Sequence, residues 1–123
     1  MASLLANLAQ GLAAFHADLS DYANRLTVVA LTEFGRRARE NGSLGTDHGH
    51  GGLMLLMGGN LAGSRVHGSW PGLATDALVG PGDLAVTTDY RDVLAEVCVK
   101  RLNNAALADI FPGYAPVLPG IWR

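Results

Sequence analysis

Two short apolar runs, residues 26–31 (Leu-Thr-Val-Val-Ala-Leu) and 53–57 (Leu-Met-Leu-Leu-Met), bracket a polar stretch, 32–52. Runs this short, continuous and partly β-branched read as strands buried on both faces, as in a parallel sheet. The stretch between them holds three Arg, two Glu, one Asp and two of the four His, and five of its residues from Gly42 onward are Gly. Ligands in open α/β sheets bind beyond the carboxyl ends of strands, and Gly lets a backbone or ligand approach closely. Segment 32–52 is therefore the expected site, with Glu33 at its edge.

What surrounds this core fits a helix-and-strand chain. Leu4, Leu8, Leu12, Phe15, Leu19 and Tyr22 recur at spacings of three and four, which predicts a helix over 3–22 with most of its circumference covered. His16 lies beside that face. Thr87-Thr88-Asp89 supplies N-cap chemistry for a helix from Tyr90 to Leu102, with Tyr90, Val93, Leu94, Val97, Cys98 and Leu102 inward. Asp89, Asp92 and Glu96 come early in it and Lys100 and Arg101 late, as the helix dipole favours. Between the second strand and this helix, 65–68 reads as an edge strand, 69–73 as a turn burying Trp70, 80–83 as a turn, and 84–86 as a short strand or extended arm. The tail, 111–123, is rich in Pro and should wrap the surface, pinned by Phe111, Tyr114 and Trp122. The expected fold is α/β: one domain, 1–123, built as a partial three-layer α/β/α sandwich with a short, mostly parallel sheet.

Composition removes several classes. Of the residues, 49% are hydrophobic and 16% charged, so the chain can bury a core. Net charge is −2 and the densest basic cluster, Arg36, Arg37 and Arg39, is offset by Glu33 and Glu40, which argues against nucleic acid. No uncharged apolar run is long enough to span a bilayer and no basic segment precedes the N-terminal apolar residues, so the chain as given reads as cytoplasmic, without a membrane partner. Cys98 is the only cysteine and reads as a small apolar residue.

Asp47-His48-Gly49-His50 offers a carboxylate and two imidazoles within four residues. Zn²⁺ and similar ions accept such a mixture. In an extended segment His48 and His50 point the same way, so both could reach one ion, or Asp47 could orient a ligating His. Glu33 would add a further ligand. The same residues also suit a solvated turn capped by Asp47. Arg36 or Arg37 could clamp a phosphate, sulfate or carboxylate, or simply pair with Glu33 and Glu40.

Thr32-Glu33-Phe34-Gly35-Arg36, Glu40-Asn41-Gly42-Ser43, Gly45-Thr46-Asp47-His48-Gly49, Gly58-Gly59, Gly68-x-Trp70-Pro71-Gly72-Leu73 and Asp83-Leu84-x-x-Thr87-Thr88-Asp89-Tyr90-Arg91 together form a pattern. It resembles the C-terminal part of the bacterial proteins grouped as domain of unknown function 1501, over nearly the whole chain. That family is similar to the alkaline phosphatase and sulfatase superfamily, α/β/α sandwiches that hydrolyse phosphate or sulfate esters with bound metal. The resemblance implies metal ligation by Glu33, Asp47, His48 and, less regularly, His50. It also implies a metal-dependent hydrolase, or its metal-site fragment. The nucleophile and first acidic ligand of such enzymes lie in earlier strands that have no counterpart here. Relatives are several times longer and often exported.

The reading is thus of ester hydrolysis with a divalent ion (Zn, Mn or Ca), a small anionic or ester substrate, His48 and Arg36 as catalytic residues, and Glu33, Asp47, His48 and His50 at the metal. A carboxyl-ester or lactone hydrolase is the alternative within this class. A non-catalytic module that self-associates or complements another chain is the alternative outside it.

Overall fold

The computed structural model describes residues 2–123. Its elements are α1 (Ala2–Asp18), a 3₁₀ turn (Ser20–Arg25), β1 (Thr27–Ala30), β2 (Gly35–Glu40), β3 (Thr46–Gly49), β4 (Leu55–Gly58), a second 3₁₀ turn (Thr75–Ala77), α2 (Tyr90–Leu102) and α3 (Leu107–Ile110). The chain is of mixed α/β type, and both apolar runs become strands. The expected mostly parallel sheet does not form. β1 pairs β4 and β2 pairs β3, each as an antiparallel two-stranded ladder. The reason lies in the connection: 31–54 turns back on itself as a hairpin and supplies no crossover helix, which parallel neighbours require. β1 and β4 are half-buried rather than enclosed on both faces.

Segment 32–52, expected to be mainly loop, is instead this second hairpin. Asn41 templates its turn. The Asn41 side-chain oxygen accepts the Ser43 and Gly45 amides at 3.0 and 3.1 Å, and its main-chain amide donates to the Gly45 carbonyl at 2.8 Å. Residues 65–68 form no strand, and Trp70 is 70% exposed rather than buried.

The core gathers where α2 meets the tail. Val93, Ile121 and Trp122 are buried together, with Met54, Leu56, Leu61 and Val97 packed against them. Asp89 caps α2 by accepting the Arg91 amide at 2.9 Å, and Asn103 closes it in the left-handed conformation. Glu96, expected only as an early charge favoured by the helix dipole, is 0% exposed. Its two oxygens accept the Gly120 amide at 2.7 Å and the Trp122 amide at 2.8 Å. One turn earlier, Asp92 accepts the Tyr114 hydroxyl and the Val117 amide, both at 2.8 Å. Two carboxylates on one helix thus accept the Val117, Gly120 and Trp122 amides and fasten an irregular tail. Tyr90 and Leu102, expected inward, are exposed.

α1 departs further from expectation. None of its residues is buried, and Leu4, Leu5, Leu8 and Phe15 stand open. Leu8, Leu12 and Phe15 line an open cleft together with Val28 of β1.

Candidate functional site

The β2–β3 hairpin carries the residues anticipated for the site except Glu33, before β2, and His50, one residue past β3. Its register sets Gly35 opposite Gly49 and Arg36 opposite His48, then shifts before Glu40 meets Thr46. Residues 79–84 dock on its outer side. The Arg36 carbonyl accepts the Leu84 amide at 3.1 Å, the Leu84 carbonyl accepts the Gly51 amide at 2.7 Å, and the Gly82 carbonyl accepts the Ala38 amide at 3.0 Å. Two glycines make this approach possible. A Cβ on Gly51 would stand 2.6 Å from the carbonyl oxygens of Leu84 and Ala85, and one on Gly35 would fall on the carbonyls of His50 and Gly51. Gly35, Gly49 and Gly51 thus serve close backbone contact, whereas Gly42 has open space around it.

Docking delivers a group that sequence reasoning missed. Asp83 is buried, its side chain only 7% exposed, and its Oδ2 lies 2.8 Å from Nδ1 of His50. The His50 side chain is itself 72% exposed. Asp83 Oδ1 faces Arg37 Nε at 3.5 Å, an ion pair outside hydrogen-bond geometry. Arg37 Nη1 lies 3.9 Å from Asp47 Oδ2, and Asp47 Oδ1 accepts from the Asn41 side-chain amide at 3.0 Å. The result is a row of side chains: Asp47, Arg37, Asp83, His50. In sequence Asp83 reads only as the end of a Gly-Pro-Gly-Asp turn. Its 33-residue separation from His50 left no local signal.

The anticipated residues are engaged differently from one another. His48 stacks on Phe34, with ring centroids 4.3 Å apart and planes 19° from parallel. Arg36 Nη1 donates to the Thr46 carbonyl at 2.9 Å across the hairpin. Asp47 does not cap the turn, a role Asn41 takes. Glu33 is exposed in the bend after β1, where Thr32 Oγ1 donates to the Phe34 carbonyl at 2.8 Å. Among the described residues no three of His, Cys, Asp or Glu gather into a metal-holding group. The donor set therefore does not fit a metal ion held by these residues alone: a site usually needs three or four protein ligands.

Elsewhere, Arg91 clamps Asp89 through Nε at 2.9 Å and Nη2 at 2.6 Å, and its guanidinium lies 3.6 Å over the Tyr114 ring. Those bonds hold the Asp89 carboxyl down to about 2. Lost hydration, with the bond donated to Asp92, pushes the Tyr114 phenol up to about 12. This cluster braces the tail.

A mixed α/β chain with a charged, His-bearing hairpin is thus the class the structure defines. The family model described as protein of unknown function (DUF1501) matches residues 1–100, and the chain belongs to that family. No curated protein and no solved structure matches the chain. Among the described residues no helix is long and apolar enough to cross a membrane.

Proposed function

We propose that this chain takes part in hydrolysing ester-type bonds of small anionic substrates, as the resemblance to the alkaline phosphatase and sulfatase superfamily implies. In this reading the chain supplies the C-terminal part of such an α/β/α sandwich. The observation that carries the proposal is the row Asp47–Arg37–Asp83–His50, an exposed imidazole oriented by a buried carboxylate beside an arginine. Arg36 and Arg37 would bind the substrate anion, since a guanidinium matches phosphate, sulfate or carboxylate. His48 and His50 would face the ester. A divalent ion, Zn, Mn or Ca, when bound, supplies a polarised water. Among the described residues Glu33, Asp47, His48 and His50 do not close around an ion, so an ion would need its ligands from another polypeptide or another copy.

The test is a panel of p-nitrophenyl phosphate, sulfate and acetate, with and without added Zn²⁺, Mn²⁺ or Ca²⁺. Turnover of at least one ester is expected, falling at least tenfold in Arg36→Ala and His48→Ala. Equal rates in the native chain and a His48→Ala/His50→Ala double variant would overturn the reading.

The open apolar face of α1 favours a second reading, a non-catalytic module that associates with copies of itself.

A further inference from the structure

We propose that Asp83 is a positioning residue that fixes the tautomer of His50 and presents its Nε2 lone pair outward, making His50 rather than His48 the proton acceptor of the hairpin site. The inference rests on the hydrolase reading only for what the lone pair then does.

The geometry runs from atoms to role. An ionised carboxylate can only accept a hydrogen bond, so at 2.8 Å the His50 Nδ1 must carry the proton it donates to Asp83 Oδ2. A neutral ring protonated at Nδ1 has its lone pair at Nε2. Asp83 cannot drift away from this contact. Its amide donates to the Val79 carbonyl at 2.8 Å, its carbonyl accepts the Val79 amide at 3.0 Å, and its side chain is enclosed with Arg37 beside it. The His50 ring, by contrast, is mostly open, so Nε2 stands where a substrate or water can reach it.

The bond is not needed merely to hold 79–84 in place. The backbone bonds Ala38–Gly82, Leu84–Arg36 and Gly51–Leu84 do that already. A buried carboxylate spent on one ring nitrogen of an exposed histidine matches the arrangement that orients imidazoles in hydrolytic sites. His48 has no such partner among the described residues; its ring is stacked on Phe34. In the step this serves, Nε2 takes a proton from water as the water oxygen bonds to the ester's central atom. The leaving oxygen departs with the electrons of the broken bond, and the imidazolium returns its proton to solvent.

The experiment is long-range ¹H–¹⁵N correlation on the labelled full chain at pH about 8.5, above the ordinary imidazole range. The His50 signals are assigned by their loss in His50→Gln. The expected spectrum shows His50 protonated at Nδ1 and bare at Nε2. A His50 ring protonated at Nε2 in the native chain would overturn the proposal without any variant. Asp83→Asn keeps the shape, and with its oxygen toward Arg37 Nε it turns its NH2 to Nδ1, so the tautomer should invert while the remaining amide peaks hold their positions. Hydrolysis of p-nitrophenyl acetate should drop about 10–100-fold. An unchanged tautomer in a folded Asp83→Asn chain would also overturn the proposal. If the native chain hydrolyses no ester, the hydrolase reading fails, and the spectrum still decides the role of Asp83.

Discussion

Glu96 shows what one residue can do when its surroundings differ from its helix neighbours. It is enclosed, and both its oxygens serve main-chain amides of the tail. Replacing it by Ala leaves the Gly120 and Trp122 amides without acceptors, and an unsatisfied buried donor costs about 1–3 kcal/mol. Glu96→Ala is therefore expected to lower stability by about 3 kcal/mol, read as a lower urea midpoint, with protease cleavage appearing in 113–121. Glu96→Gln keeps one acceptor oxygen and should lose less. Equal losses in both variants would mean that packing, not the two accepted bonds, holds the tail. Asp83 is comparable: a turn carboxylate by sequence, a buried partner of His50 by structure.

At the level of elements, α2 and the tail form a charge-braced pair whose strength should depend on pH at both extremes. The folded Asp89 carboxyl is depressed from 3.8 to about 2 by the bonds from Arg91. Its contribution is complete above about 3.8 and is lost as pH falls toward 2. The folded Tyr114 phenol is raised from 10.0 to about 12, so its contribution is complete below 10 and is lost as pH rises toward 12. Urea midpoints measured across pH should fall in both windows. Tyr114→Phe should remove the alkaline fall and leave the acid one. If Tyr114→Phe titrates like the native chain above pH 10, the bond to Asp92 contributes nothing there.

For the molecule as a whole, the balance of burial is unusual. Among the described residues, buried apolar side chains are confined to Val93, Ala95, Ile121 and Trp122, while Leu4 is 71% exposed and Leu5, Leu8 and Phe15 stand open beside it on α1. Each such side chain forgoes part of the about 1.5–3 kcal/mol that full burial would supply. A second copy laying its own α1 against this stripe would recover part of that. Multi-angle light scattering is expected to show association that strengthens with protein concentration, and Leu8→Glu is expected to shift the chain toward monomer. A native chain that stays monomeric at high concentration, with its helix content intact, would count against association through α1.

How much of this was legible depends on the distance over which each feature is decided. The helices over Ala2–Asp18 and Tyr90–Leu102, the cap at Asp89 and both apolar strands follow from residues within a turn or two of each other. Periodicity and capping are local, so the linear order of side chains suffices for them. The same holds for the charged, His-bearing content of 32–52. Other features depend on segments distant in sequence. These include the antiparallel pairing of β1 with β4, the burial of Trp122 but not Trp70, the enclosure of Glu96 and the arrival of Asp83 at His50. Which strand edges meet, and which carboxylate loses its water, is settled by packing among residues that sequence proximity does not relate. Helix and strand could be read along the chain; partners could be known only once it had folded.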